Sequence, residues 1–202
     1  MKEQLQETSD SRNTEEFDNR PDQHKLYDLV LPNIAGYNDV VDAFMDLVDN
    51  SFDAHANDIS IHIHEDENKS INGYSIIDNG AGMDKSTLQE SFRFAGTVPH
   101  GHGELGKFGS GGTTAAFTYG NRKTTITKTK NGPLLAAVLD LNNSVMPYMI
   151  TPDSNQRAYF EHVCGENGTI VHISSLKEDR IECSRAGDLK NRIGKKFAFH
   201  FF

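Results

Sequence analysis

The chain has 202 residues, of which 36% are hydrophobic, and this is enough to bury the core of one domain. Its net charge of −9 argues against binding nucleic acid by bulk charge. No apolar run reaches the roughly 18–20 residues of a membrane span, and the N-terminus lacks the hydrophobic segment of a secretory signal. Two cysteines, Cys164 and Cys183, are too few for a disulfide framework. We therefore expect an intracellular protein, cytoplasmic or nuclear, with no membrane partner.

The chain begins with a polar segment and then a strongly amphipathic one. Residues 1–24 lack apolar anchors and predict a flexible tail ahead of a domain over 25–202. An amphipathic helix is predicted from about Tyr37 to Ala56. An acidic helix face is usually a solvated surface, but an asparagine inside a helix needs a structural reason. The apolar arc holds Val41, Phe44, Met45, Val48 and Phe52, and the opposite arc holds Asp42, Asp46, Asp49, Asn50 and Asp53.

The remaining elements predict a sheet with helices. The Asn131-Gly132 pair is a hairpin signal between two strands, and Asp84 is a predicted N-cap of a short helix ending near Phe94. We predict an α+β two-layer sandwich, with a mixed, mostly antiparallel sheet and helices on one face. The predicted strands are Ile59–His64, Ile71–Ile77, Arg122–Lys130, Leu134–Leu141, about Arg157–Val163 and Thr169–Ser174, and two further helices are predicted at Thr113–Tyr119 and about 186–199.

A glycine-rich loop occupies residues 95–112 and leads into the predicted helix at Thr113. Such a loop can hold a phosphate, because backbone N–H groups approach an anion closely and a helix N-terminus favours negative charge. The loop lacks the Gly-Lys-Ser/Thr ending of a Walker A motif. Taken alone, it is more often a mobile connector, and Asp78-Asn79-Gly80 is more often a plain turn after a strand.

Four segments together resemble the GHKL superfamily in order and spacing: Asp46–Ala54, Asp78–Met83, Gly106–Gly111 and Gly168–Val171. This superfamily includes gyrase B subunits, the 90-kDa heat-shock chaperones, sensor histidine kinases and MutL, and its members share the Bergerat ATP-binding fold. The first motif looks most like those of the type IIB topoisomerase, heat-shock chaperone and Morc branches. The resemblance covers about residues 37–174.

The resemblance implies a role for each matching residue. Asn50 would coordinate the Mg²⁺ that bridges the phosphates of ATP, and Asp78 would accept a hydrogen bond from the adenine amino group. Thr169 would support Asp78, and Asp53 would hold neighbouring backbone. Gly80, Gly82 and Met83 would line the base pocket, and Gly106, Lys107, Phe108, Gly109, Ser110 and Gly111 would form the phosphate-binding loop, in which Lys107 would either contact phosphate or remain solvated.

Residue spacing supports the first motif independently. Asp46, Asn50 and Asp53 are spaced i, i+4 and i+7, so one helix face presents them together. An amide oxygen suits Mg²⁺, which prefers oxygen ligands and keeps several waters. Asp46 departs from the family, whose ATPases usually carry glutamate here as the general base. Because a loss of about 1 Å of reach can cost on the order of 100-fold in rate, we expect Asp46 as the catalytic base to give slow hydrolysis, or the helix to lie slightly closer to the phosphates.

The predicted function is Mg²⁺-dependent ATP binding and slow hydrolysis. Nucleotide would close a lid over about residues 84–112 and drive homodimerisation, as a switch in a DNA-linked or chaperone-like machine. DNA or a DNA-associated protein would bind through other regions, because the domain is expected to be the N-terminal part of a larger protein. The alternatives are a nucleotide-binding interaction module that does not turn over and, with less support, a histidine-kinase-type protein kinase. His62 and His64 share a strand face, as metal ligands can, but no third ligand is evident.

Overall fold

The computed structural model describes residues 40–92, 110–143, 146–177, 187 and 190–195. They form one six-stranded sheet, in which every described strand pair is antiparallel, together with helices. The predicted α+β class is confirmed. The predicted tail over 1–24 lies outside the described residues. None of the described helices combines the length and the apolar character needed to cross a membrane.

The elements follow the predicted order, except that one short strand is added and one predicted strand, at Arg157–Val163, is a helix. Residues 190–195 are helical, within the predicted last helix. The helices are α1 (Val40–Asp53), α2 (Lys85–Glu90), α3 (Ser110–Tyr119) and α4 (Ser154–Val163), and the strands are β1 (Ile59–Glu65), β2 (Ile71–Asp78), β3 (Gly120–Lys128), β4 (Leu135–Asp140), β5 (Tyr148–Ile150) and β6 (Gly168–Leu176). The three-residue β5 was not predicted.

The strand order is β1-β2-β6-β3-β4-β5, so the last strand in sequence lies between β2 and β3. The register pairs Asp78 of β2 with Thr169 of β6, and Thr169 with Thr127 of β3. Directly paired residues point to the same side of a sheet. Three polar side chains from distant parts of the sequence therefore meet at one end of one sheet face.

The larger core lies between this face and the helices α1, α2 and α3. Phe44 of α1, Leu88 of α2 and Phe117 of α3 are almost completely buried there. The predicted amphipathic character of α1 holds over most of its length. Phe52, however, is 43% exposed, whereas Ser51 is buried. At this end of α1 the buried side of the helix includes Ser51, because the Ser51 hydroxyl donates a hydrogen bond to the Asp78 carboxylate of β2.

The segment predicted as a strand at Arg157–Val163 is the helix α4, so that prediction was wrong. The helix begins with a capping box: Asp153 Oδ1 accepts from Gln156 N–H at 2.8 Å, and Gln156 Oε1 accepts from Asp153 N–H at 3.0 Å. Phe160 of α4 packs with Ile77 in a second core, on the opposite sheet face to α1–α3. The helices α1–α3 therefore lie on one face of the sheet, as predicted, and α4 covers part of the opposite face.

We expect Phe160→Ala to lower the free energy of unfolding by about 3–5 kcal/mol, because a fully buried phenyl ring leaves a cavity when it is removed. The matched control is Glu161→Ala, an exposed position on the same helix, which we expect to change stability by less than about 0.5 kcal/mol. Urea denaturation followed by circular dichroism measures both. Equal, small losses in the two variants would contradict the packing of α4 on the sheet.

Candidate functional site

Asp78 ends β2 with a carboxylate that is buried, at 6% exposure. Ser51 Oγ donates to its Oδ2 at 3.1 Å, and the Gly80 N–H donates to its Oδ1 at 2.9 Å. Burial raises the pKa of Asp78 above its usual range, while the hydrogen bonds from Gly80, Ser51 and the Thr169 backbone oppose that rise. A carboxylate has about four acceptor positions. These donors therefore fix its orientation and leave capacity for a hydrogen bond from a ligand.

The turn after Asp78 is fastened by asparagine side chains. Asn79 Oδ1 accepts from the N–H groups of Asn57 and Asp58 at 3.0 Å each, and its Nδ2 donates to Asn57 Oδ1 at 2.7 Å. Asn167 Nδ2 donates to the Gly80 carbonyl at 2.6 Å. The turn is thereby held to the segment after α1 on one side and to the segment before β6 on the other.

Thr127 of β3 joins two of the predicted pocket segments through one hydroxyl. It accepts from the Met83 N–H at 2.9 Å and donates to the Gly168 carbonyl at 2.9 Å. The Thr169 hydroxyl lies 3.1 Å from the same oxygen. Thr127 is not among the site residues predicted from the sequence, because its role depends on its register opposite Thr169, which the sequence alone does not show.

Two glycines in these segments allow the backbone to approach closely. Gly82 has φ +67° and Gly168 has φ +146°, which are conformations that side chains disfavour. A Cβ at Gly82 would overlap the Lys128 carbonyl, and one at Gly168 would overlap the carbonyl of Asp78. Both positions therefore require glycine for steric as well as conformational reasons.

The other end of the site lies where α1 meets the start of α3. A Cβ at Gly112 would stand 3.0 Å from Asn50 Nδ2 and 3.4 Å from Leu47 Cδ2, so the two helices touch here. Asn50 is exposed, and Asp46, one turn earlier on α1, is partly exposed. The N-terminal end of a helix favours anions through its free N–H groups and its dipole. An anion at the start of α3 would lie beside the amide of Asn50.

The remaining predicted site residues are placed as follows. Gly80 is buried next to Asp78, whereas Asp53 is exposed as the last residue of α1. Helix α3 starts at Ser110, three residues earlier than the predicted Thr113, so that Ser110 and Gly111 belong to its first turn. The predicted loop residues Gly106, Lys107, Phe108 and Gly109 lie outside the described residues.

On the opposite sheet face from Asp78, His64 of β1 takes part in a hydrogen-bonded cluster, whereas His62 Nδ1 lies 3.3 Å from the Tyr159 hydroxyl oxygen. Ser75 Oγ lies 2.8 Å from His64 Nε2 and 2.9 Å from His172 Nδ1. Burial and the neighbouring His64 and Arg122 lower the pKa of His172 to about 3, so its ring is neutral at physiological pH. No group of three histidine, cysteine or acidic side chains that could hold a metal occurs in the described part of the chain.

A family model of histidine kinase-, DNA gyrase B- and HSP90-like ATPases matches residues 37–163. The chain belongs to this ATPase family. The resemblance to the GHKL superfamily is thereby confirmed, and domains of this family bind ATP, typically with Mg²⁺. The family match includes Asn50, Asp78 and the start of α3, whereas Thr169 lies beyond its last residue. A search of curated proteins found no match.

Gly82→Ala tests the close approach between the Gly82 backbone and the Lys128 carbonyl. Gly165→Ala is the matched control, because Gly165 has φ +76° but no heavy atom lies within 4 Å of the position that an added methyl group would take. We expect both to lose about 1–2 kcal/mol of stability from the positive φ, and Gly82→Ala to lose more because of the overlap with Lys128. Equilibrium denaturation compares the two. Equal losses would contradict the close approach.

Proposed function

We propose that this domain binds ATP with Mg²⁺ and hydrolyses it slowly to ADP and phosphate. The observation that carries the proposal is the buried Asp78 carboxylate, oriented by Ser51 and Gly80. Adenine presents an amino donor where guanine presents a carbonyl oxygen. A fixed carboxylate acceptor at the end of β2 therefore favours adenine, and the family match supports a triphosphate as the rest of the ligand.

The phosphate end suits Mg²⁺ as well as anions. Asn50 offers an amide oxygen on the exposed face of α1, next to Gly112 in the first turn of α3. Mg²⁺ commonly takes one or two protein oxygens, completes its shell with phosphate oxygens and waters, and neutralises the charge that develops during phosphoryl transfer. Asn50 would hold the ion, and the start of α3 would hold the phosphates.

Asp46 is the proposed general base for hydrolysis. The water oxygen would bond to the γ-phosphorus while the bond from that phosphorus to the β–γ bridging oxygen breaks. Asp46 would accept the proton of the water, and ADP and phosphate would leave. Asp46 lies on the same face of α1 as Asn50, one turn away, so both side chains approach the phosphate end together.

The second candidate is a nucleotide-binding module that does not turn over. The short side chain of Asp46 favours it, because proton abstraction requires a heavy-atom distance of about 2.6–3.2 Å or one intervening water. Nucleotide-driven lid closure, homodimerisation, a DNA-linked or chaperone-like partner and protein-kinase activity stay predictions from the resemblance. Phosphate release and phosphate transfer to protein distinguish these functions.

For the adenine site, we expect Asp78→Ala to weaken ATP binding about 10- to 150-fold, the equivalent of about 1.5–3 kcal/mol for a hydrogen bond to a charged group. Calorimetric titration of ATP with Mg²⁺ measures the affinity, and GTP should bind the wild type more weakly than ATP. Asp66→Ala, in the exposed turn between β1 and β2, is the control and should bind ATP normally. Wild-type protein that takes up no adenine nucleotide would refute the proposal.

For hydrolysis, we expect Asp46→Asn to slow phosphate release by about 100-fold or more while ATP affinity changes little, because a general base contributes about 10²–10⁴-fold. Asp46→Glu should accelerate release, since the longer side chain reaches further. Asp42→Asn, one turn earlier on α1, is the control. If the wild type binds ATP but releases no phosphate, the non-hydrolysing module is correct. Labelled phosphate on the protein would instead indicate a kinase.

A further inference from the structure

Lys123 of β3 is a buried lysine on the sheet face that carries Asp78. It is only 4% exposed, and its register neighbours Leu139 and Ile173 are buried apolar residues. Its ammonium group stands 4.4 Å from the centroid of the Phe92 ring, a cation–π contact. A lysine is seldom buried in this way without a carboxylate beside it. The position therefore calls for an explanation beyond packing.

The ammonium group joins the end of α2 to the start of α3. Lys123 Nζ donates to the Ser91 carbonyl at 3.1 Å and to Thr113 Oγ1 at 3.2 Å. Thr113 Oγ1 in turn donates to the same Ser91 carbonyl at 2.8 Å. These three hydrogen bonds close a triangle. Ser91 directly follows α2, and Thr113 lies in the first turn of α3, so the triangle fixes the two points between which the predicted phosphate-binding loop runs.

The charge of Lys123 has no carboxylate partner among the described residues, since its ammonium group contacts a carbonyl, a hydroxyl and an aromatic ring. Burial alone lowers the pKa of Lys123 to about 7. The titratable groups on the packed helices, Lys85 and Glu90 of α2 and Tyr119 of α3, are not among the causes of that shift. A positive charge near a helix N-terminus is also unfavourable there. A bound anion would relieve both costs.

We propose that Lys123 is a positioning residue for the phosphate end of the nucleotide site, where its buried ammonium group and the bound phosphates stabilise each other. The inference rests on the proposed function, because it requires ATP at this site. Thr113 is the residue after Gly112, and Gly112 packs against Asn50. Lys123 thus acts on the phosphates through the first turn of α3, without touching them.

The mutual stabilisation has a defined pH dependence. If phosphates favour the charged lysine, then the charged lysine favours phosphates by the same factor. Well below pH 7 Lys123 is charged in the free protein and ATP binds at full affinity. Above pH 7 the free protein loses the proton and must regain it on binding, so ATP affinity falls and binding takes up protons. The last ionisation of a phosphate group has a pKa of about 6, so at pH 8 the phosphates themselves add little to this proton uptake.

The test compares ATP with adenosine, which lacks phosphates, by calorimetry in buffers of different ionisation enthalpy between pH 6.5 and 8.5. In Lys123→Met we expect ATP affinity at pH 7 to fall about tenfold, within the range of site–site coupling. Adenosine affinity should be unchanged, and proton uptake at pH 8 should disappear. Lys130→Met, at an exposed turn lysine, is the matched control and should behave as the wild type. Thermal melting verifies that each variant folds.

A second variant keeps the test decisive if Lys123→Met does not fold. Thr113→Val removes the hydroxyl but keeps the ammonium group, and it should lower ATP affinity, leave adenosine affinity unchanged and retain proton uptake. The role of Lys123 would be overturned if Lys123→Met lost affinity for ATP and adenosine alike, or if the wild type bound ATP without proton uptake at pH 8. The proposal that the wild type binds ATP would stand in both cases. A wild type that binds neither ATP nor adenosine overturns the proposed function and this inference with it.

Discussion

The burial of the Asp78 carboxylate is the constraint on which the site depends. A buried charge is costly unless donors surround it, and here the donors come from α1, from the turn after β2 and from β6. The hydrogen bond from Ser51 to Asp78 holds the last turn of α1 against the sheet. The preceding residue, Asn50, then contacts Gly112 at the start of α3. Two adjacent residues of one helix thus connect the Asp78 carboxylate to the start of α3.

Much of this arrangement could be predicted from local sequence. Alternating residues were enough to find β1, β2 was also found from the sequence, and Asp84 caps α2 as expected, with its side chain accepting from the Thr87 N–H. The amphipathic pattern located α1, and the motif order predicts that Asp78 and Asn50 belong to one site. These features depend on neighbours within a few residues, or on a recurring motif, and both are visible in one sequence.

What could not be predicted depends on contacts between distant segments or on competing local signals. The segment Arg157–Val163 was predicted as a strand, but the capping box at Asp153 and Gln156 begins a helix there. Thr127 and Lys123 read as ordinary residues of β3. Their importance comes from partners on β6, α2 and α3, which only the strand register and the helix packing bring together.

The position of β6 between β2 and β3 has a consequence for how the molecule assembles. Ser75 and His172 pair across β2 and β6 although 97 positions separate them, and such long-range pairing is slow because a large loop must close first. On the ribosome, a nascent chain that has not yet exposed Gly168 has two half-sheets with no strand to join them. Gly168 and Thr169 are also the last residues of the candidate site in chain order. The sheet that carries the candidate site is therefore complete only when β6 has joined it, and any ligand that binds this site stabilises the completed sheet by mass action.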